Sequence, residues 1–225
     1  MIFRESQDCF NLGLRAGAIV FRGVKISEAG AELRSEIAAA VGAILARFSS
    51  PAEIRALPEI LKHHEILKKV GVKPRKHLPS VENLLRFALK REALPSVNSL
   101  VDAYNLISVE TRCSLGAHDL DRLVAPVELR LFRGDETFTP LGSKEAEDVV
   151  PGEFGYVDAR KRVICRLDVL QADFSKVTVE ATNILLIIEA TTAHDRPALE
   201  KVFAETAQKV GRYCGGEAEV VAFPY

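Results

Sequence analysis

The chain has 225 residues, of which 48% are hydrophobic and 27% are charged, proportions typical of a globular protein that exclude a disordered or collagen-like chain. Thirty Lys and Arg residues against thirty-one Asp and Glu residues give a formal net charge of −1, which excludes binding to nucleic acid through overall charge alone. The four cysteines form no CxxC pair, and no segment has the length and composition of a membrane helix or a signal peptide. We therefore expect a cytoplasmic protein without a membrane partner, a metal or another cofactor.

The N-terminal portion, residues 1–95, is predicted to be mainly helical. Residues 13–26 are rich in β-branched and aromatic side chains between glycines, which predicts one early strand. Helical spacing of apolar residues follows, with capping or helix-starting residues at the beginning of four helices: Ser27, Pro51, Pro58 and Ser80. Free cysteines in this and later segments are expected to be small buried hydrophobes.

The second portion, residues 96–225, combines two helices with several strands. Helical spacing predicts helices over 98–110 and from Pro197. Period-two alternation or continuous apolar runs predict strands at 127–132, 154–157, 163–167, 184–188 and 217–223. Helices followed by antiparallel hairpins indicate an α+β fold, with helices packed on one mixed, twisted sheet in a single domain spanning residues 1–225.

Two adjacent histidines, His63 and His64, precede Glu65 in a predicted helix. The spacing of a His-Glu-x-x-His zinc motif is absent, and adjacent side chains point about 100° apart on a helix, so the two imidazoles cannot easily share a metal. We expect a solvated helix face here. Glycine-rich phosphate loops and nucleophile elbows are also absent from the sequence.

Positive charge is concentrated in one segment. From Arg47 to Arg91 there are eleven Lys and Arg residues against four Asp and Glu residues. Such a segment can neutralise the phosphates of RNA, and an ordinary solvated helix surface is an equally good interpretation. The candidate RNA-binding residues are Lys68, Lys69, Lys73, Arg75 and Lys76.

Polar residues recur at helical spacing in the predicted helix 98–110. Asn98, Asp102 and Asn105 share one face, and Tyr104 lies beside them. Asn and Asp are poor helix formers, so such a row indicates capping, a buried hydrogen-bond network or a ligand site. The residues alone do not decide between a structural network and a site.

The run from Asn98 to Asn105 is followed by Gly116-Ala-His118-Asp-Leu-Asp, and this pair of motifs resembles the signature of a known family. The family is the B-three/B-four domain, the tRNA-binding, editing module of the bacterial phenylalanyl-tRNA synthetase beta chain, and the chain resembles its stand-alone relatives. Further similar motifs follow in the family's order: Glu128-Leu-Arg130, Gly134-x-Glu136-x-Phe138, Pro151-Gly-Glu153, Lys176-Val-Thr178 and Asn183 to Glu189. The resemblance spans roughly residues 75–213 and implies the α+β fold of that module.

The resemblance also implies a pocket for an aminoacyl group on a tRNA end, since the synthetase module hydrolyses tyrosine wrongly attached to the phenylalanine tRNA. Asn105 matches the family's Asn beside the pocket, and Asp102 matches the Asp that braces the same helix. Gly116 occupies the slot in which the family signature has His, and the nearest imidazole is that of His118. A positioned water and hydrogen-bond donors for the oxyanion could suffice for hydrolysis of an activated ester.

Three further polar residues, Arg166, Asp173 and Lys176, are candidates to converge on this pocket with Asn105. Each also has a structural interpretation, in which Arg166 and Asp173 form a salt bridge and Lys176 is a charge at a strand end. The candidate substrate-binding residues are therefore Asp102, Tyr104, Asn105, Gly116, His118, Arg166, Asp173 and Lys176.

Three functions remain open. The first is hydrolysis of mischarged aminoacyl-tRNA in trans, the second is RNA binding without chemistry, and the third is binding of an amino acid or similar small molecule. We expect tRNA as a partner in the first two. We do not expect 225 residues to form a complete aminoacyl-tRNA ligase.

Overall fold

A computed structural model describes residues 1–224, which form seven α-helices, nine β-strands and a 3₁₀ turn at Leu120–Arg122. The helices are α1 (Gln7–Leu12), α2 (Ala31–Arg47), α3 (Pro51–Arg55), α4 (Pro58–Lys69), α5 (Ser80–Arg91), α6 (Ser99–Thr111) and α7 (Arg196–Cys214). The strands are β1 (Phe3–Glu5), β2 (Leu14–Arg22), β3 (Ser114–Asp119), β4 (Val127–Leu131), β5 (Phe154–Val157), β6 (Val163–Arg166), β7 (Leu170–Gln171), β8 (Asn183–Thr191) and β9 (Glu217–Ala222).

The α+β class is confirmed, but the strands form two sheets where one was expected. One sheet has the order β3-β8-β2-β9 and is antiparallel throughout. The other has the order β1-β4-β5-β6-β7, with β1 parallel to β4 and the remaining pairs antiparallel. Period-two alternation identifies strands but not their partners, which is why the division into two sheets was not predicted.

Strand β8 lies inside the molecule and faces a different layer on each side. Ile184, Leu186 and Ile188 pack against α6 and α7, whereas Leu185 and Ile187 pack against the five-stranded sheet. This alternation follows from the side-chain period of two in a strand. The result is a layer of helices, the four-stranded sheet and the five-stranded sheet, stacked in that order.

The N-terminal portion is less uniformly helical than expected. Strand β1 belongs to the five-stranded sheet and β2 to the four-stranded sheet, where β2 pairs along its whole length with β8. Helix α2 begins at Ala31 after Gly30, three residues later than the expected start after Ser27. Helices α2, α3, α4 and α5 share a hydrophobic cluster of their own, to which Val109 of α6 also contributes.

Within residues 1–224, no helix is both long and apolar enough to span a bilayer. The four cysteines are free and buried, as predicted. Their thiols act as small hydrophobic groups, and burial raises the pKa of each of them.

Candidate functional site

A pocket of about 290 Å³ lies where α5 and α6 meet β3 and the segment that follows β6. Four of the residues singled out from the sequence line it: Tyr104, Asn105, Gly116 and His118. The remaining lining residues come from α5, the loop before α6, β3 and the β6–β7 segment: Ser80, Asn83, Leu84, Phe87, Pro95, Leu115, Cys165, Asp168, Val169 and Gln171. Apolar walls with a few convergent polar groups are the usual composition of a ligand site.

The polar residues of helix α6 have two roles: Asn98 and Asp102 hold the start of the helix, and Asn105 lines the pocket. Asn98 is the N-cap, and its Oδ1 accepts hydrogen bonds from the backbone N–H groups of Leu100 and Val101. Asp102 accepts hydrogen bonds from the Ser96 hydroxyl and from the backbone N–H of Val97, so it holds the segment that leads into the helix. Both arrangements satisfy backbone groups that a helix start leaves unpaired.

Asn105 is the member of this row that reaches the pocket. Its side chain is nearly buried, and no hydrogen bond joins its amide to another residue within 1–224. A primary amide offers two donors and one acceptor, so this side chain retains its full capacity to bind a polar ligand. Tyr104 lies beside it and supplies an aromatic wall.

Strand β3 presents Gly116 and His118 to the pocket and Ala117 to the helices, while Leu115 packs among the helices and also lines the pocket. A Cβ atom added to Gly116 would meet nothing within 4 Å, so this glycine leaves open space where a side chain would otherwise stand. The His118 Nδ1 lies 3.0 Å from the Ser175 hydroxyl, and burial lowers the pKa of His118 to about 3. The imidazole is therefore neutral at physiological pH.

The floor of the pocket is formed by the residues that follow β6. The Asp168 carboxylate accepts hydrogen bonds from the backbone N–H of Ser80 at 2.9 Å and from the Ser114 hydroxyl at 2.8 Å. Leu167 and Asp168 both have positive φ, 55° and 65°, a conformation that is costly for side chains other than glycine and that is characteristic of functional sites. Burial raises the pKa of Cys165, so its thiol does not supply a thiolate nucleophile at neutral pH.

Beneath this floor, between the two sheets, three buried ionisable side chains meet. His63 of α4 lies with its Nε2 3.4 Å from Asp168 Oδ2 and 3.6 Å from Glu189 Oε1. This group is referred to below as the His63–Asp168–Glu189 cluster. The imidazole and the two carboxylates are ligand types that bind divalent cations.

Arg166, Asp173 and Lys176 do not converge on the pocket. Arg166 follows Cys165 in β6 and so points to the opposite face of the sheet, where its Nε lies 2.7 Å from Glu153. Lys176 pairs with Asp173 at 2.9 Å on the surface, so the alternative salt bridge between Arg166 and Asp173 is also wrong. The pocket therefore contains the predicted Asn105 without the predicted cationic groups.

The basic segment borders a second, larger groove of about 750 Å³ next to α4. Four of the five candidate RNA-binding residues line it: Lys68, Lys73, Arg75 and Lys76. Lys69 points elsewhere, with its Nζ 3.4 Å from the carbonyl of Leu12. Arg55 adds a further positive charge to the groove.

The histidine pair is not a solvated face, which corrects the sequence-based expectation. Both side chains are buried, and His64 Nε2 lies 2.6 Å from the carboxylate of Glu82. The pattern of the helix alone could not show that α4 is covered on this side by α5 and by the sheets. Asp168 and Glu189 were likewise not selected from the sequence, and the only signal for Glu189 was a charged residue in phase with Leu185 and Ile187 of a buried strand.

The two facing sheets, the helical layer and the pocket define an α+β domain with a pocket between its helices and strands. The chain belongs to the B3/4 domain family, whose model matches residues 62–201. This confirms the resemblance to the B-three/B-four module that the motifs indicated.

The relatives are beta subunits of phenylalanine–tRNA ligase. The chain is 32% identical over 96 residues to the subunit from Mycoplasma genitalium, covering 43% of this chain and 12% of that protein. It is 24% identical over 176 residues to the subunit from Photorhabdus laumondii, covering 68% of this chain and 21% of that protein. The matched region thus spans 12% and 21% of the length of these two relatives.

A solved structure has a similar fold. It is an N-terminal fragment of the phenylalanyl-tRNA synthetase beta-subunit from Pyrococcus horikoshii, with a TM-score of 0.50 and 10% sequence identity. The similarity covers 96% of this chain and 50% of that chain. It therefore supports the overall arrangement of helices and sheets.

Proposed function

We propose that the pocket binds the aminoacyl end of a tRNA and that the protein hydrolyses mischarged aminoacyl-tRNA in trans. The observation that carries the proposal is the Asn105 amide, which faces a mainly apolar pocket and has no hydrogen-bond partner among residues 1–224. At about 290 Å³ the pocket is near the lower limit of ligand sites, which suits an amino-acid side chain better than a large cofactor. Membership in the B3/4 domain family and the tRNA ligases among its relatives support the choice of substrate.

The chemistry requires water as the nucleophile. Water adds to the ester carbonyl carbon, the bond to the terminal ribose oxygen breaks, and the proton passes to that oxygen, which releases the amino acid and the free tRNA. Cys165 is held as a thiol, and Gly116 leaves no imidazole at the position where the family has one. The contribution of the protein is then orientation of the ester, with the Asn105 amide donating to the substrate.

The basic groove supports contact with the tRNA backbone. Its lining residue Lys76 precedes Ser80 of the pocket by four positions, so their Cα atoms are at most about 14 Å apart. A tRNA end seated in the pocket would therefore have phosphates within reach of the groove. Lysine and arginine side chains bind such phosphates with an affinity that depends on salt.

Non-catalytic binding of tRNA is the second candidate function. The observation that favours it is Gly116, because a pocket with no imidazole at this position can recognise an aminoacyl group without activating water. The basic groove serves this function equally well. Binding of a free amino acid would use the pocket alone.

The decisive experiment is deacylation of a panel of mischarged tRNAs by the purified protein. We expect hydrolysis of at least one of them and a loss of more than tenfold in kcat/KM for Asn105→Ala, because the substrate would lose its orienting amide. Asn11→Ala, which changes an exposed asparagine on α1, is the matched control and should retain the wild-type rate. Tight tRNA binding without turnover would favour the second function, and free amino acid binding without tRNA binding would favour the third.

A further inference from the structure

The His63–Asp168–Glu189 cluster is buried between the sheets, directly below the pocket. The side chains are exposed by only 5%, 1% and 2%, respectively. They come from three elements that are distant in the sequence: α4, the segment after β6, and β8. Burying two carboxylates so close together is unfavourable unless a cation or protons neutralise them.

The distances in the cluster are too long for hydrogen bonds. His63 Nε2 and Glu189 Oε1 have no hydrogen-bond partner among the described residues, although Nε2 lies 3.4 Å and 3.6 Å from the two carboxylates. Atoms that bind Zn²⁺ tetrahedrally at about 2.0–2.2 Å lie roughly 3.3 Å from one another. The three ligand atoms lie within 4.8 Å of one another, so small adjustments would bring them to the separation that one bound cation requires.

The two carboxylates are held from outside the cluster. Asp168 accepts hydrogen bonds from Ser80 and Ser114, and Glu189 accepts one from the Tyr156 hydroxyl. Such outer partners orient metal-binding carboxylates and tune their affinity.

An adjacent cavity of about 30 Å³ provides room for one water molecule. It is lined by Asp168, Glu189 and Tyr156, and it shares Gly116 and Cys165 with the larger pocket above it. Three protein ligands with an open fourth position occupied by water is the usual arrangement of a catalytic zinc site. The open position would face the floor of the pocket.

We propose that His63, Asp168 and Glu189 bind a single divalent transition-metal cation, with Zn²⁺ as the best match to one imidazole and two carboxylates. The site adjoins the proposed aminoacyl pocket, because Asp168 contributes to both, but its ligands are buried and metal binding can be measured without nucleic acid. His63 is the side chain in contact with both carboxylates, with its Nε2 3.4 Å from Asp168 and 3.6 Å from Glu189. The cation would supply the positive charge that neutralises the two buried carboxylates.

The test is metal binding by the chelator-treated full chain, with Zn²⁺ followed by calorimetry and Co²⁺ by its visible absorption. We expect one equivalent of Zn²⁺ to bind, with Co²⁺ bands typical of four or five ligands. His63→Gln and Asp168→Asn should each weaken binding at least 100-fold. Ser114→Ala removes only an outer hydrogen bond and should weaken binding 10- to 100-fold while keeping the fold.

The matched control is His64→Gln, which changes the neighbouring buried histidine with its own carboxylate partner, Glu82. It should bind Zn²⁺ as the wild type does. Absence of binding at 100-fold excess Zn²⁺ over the protein, or binding undiminished in Asp168→Asn and Ser114→Ala, would overturn the proposal. These results are independent of deacylation, so the failure of either proposal can be recognised separately.

Discussion

At the scale of single residues, Gly116 and His118 decide what the pocket can do. They are two positions apart on β3 and therefore face the same side of the strand. Gly116 leaves open space, whereas the imidazole of His118 is buried and engaged with Ser175. The pocket is therefore open at Gly116, where the family signature has a histidine, and the neutral imidazole of His118 lies two residues further along β3.

Filling the space beside Gly116 should abolish ligand binding. Gly116→Phe places a large side chain in the pocket, and we expect loss of deacylation and of competition by aminoacyl analogues, with tRNA binding through the basic groove retained. Gly116→Ala is the control, because its Cβ meets nothing within 4 Å, and it should change kcat/KM less than threefold. An unaffected rate in Gly116→Phe would show that the reaction takes place elsewhere.

The rate of hydrolysis should be nearly independent of pH between 6 and 8. Burial lowers the pKa of His118 to about 3, so the imidazole stays neutral across this range and contributes no inflection near 6.5. His118→Ala should lower kcat/KM less than tenfold. A pH–rate profile of the wild type and the variant checks both expectations, and an inflection near 6.5 that disappears in His118→Ala would identify it as a general base.

At the scale of elements, the connection between α4 and α5 joins the two candidate interfaces. Its residues line the basic groove, and the first turn of α5 lines the pocket. Helix α4 also carries His63 into the space between the sheets, so one helix borders the groove on one side and the cluster on the other. Changes in this connection should therefore affect RNA contact without altering the pocket itself.

Replacing Lys73, Arg75 and Lys76 with Ala should weaken tRNA binding equally for all tRNA sequences. Each lost phosphate contact should lower the slope of log K against log salt by about 0.7–0.9. Binding titrations between 50 and 200 mM salt measure the slope. The control replaces three exposed cations elsewhere on the surface, Lys144, Arg160 and Lys201, and should leave the slope unchanged. If the two triple variants had equal effects, the groove would not be part of the tRNA interface.

At the scale of the whole molecule, the two portions of the chain share their cores. Strand β2 pairs with β8 and β9 inside the four-stranded sheet, and β1 pairs with β4 in the other sheet. Ile66 and Leu67 of α4 pack in the same cluster as Phe154 and Leu185. We therefore propose that residues 1–225 fold as one domain.

Deleting residues 1–95 should prevent folding of the remainder. The deletion removes β2, which leaves one long edge of β8 and the whole of β9 unpaired, and it also removes helix α5 from the wall of the pocket, so we expect no cooperative thermal transition for residues 96–225. For the full chain, far-ultraviolet circular dichroism and tyrosine fluorescence should report one coincident transition. Two separate transitions, or a folded fragment 96–225, would show two independent domains.

Local features of the sequence determined most of the elements. Apolar periodicity placed α4, α6 and α7 within a residue or two, because each helix buries one face, and the hairpin strands β5 and β6 and the buried strand β8 followed from the same reasoning. The spacing of Asn98, Asp102 and Asn105 indicated that α6 carries either a structural network or a ligand site. The motifs of residues 98–121 identified the family.

Tertiary structure decided which of these residues meet. Only the packed fold separates Asn105, which reaches the pocket, from Asn98 and Asp102, which cap the helix start. Only the fold turns Arg166 away from the pocket and brings His63 to Asp168 and Glu189, residues more than a hundred positions further along the chain. Periodicity predicts which face of a helix or strand is buried. It does not predict which element packs against that face, because the packing partner is remote in the sequence.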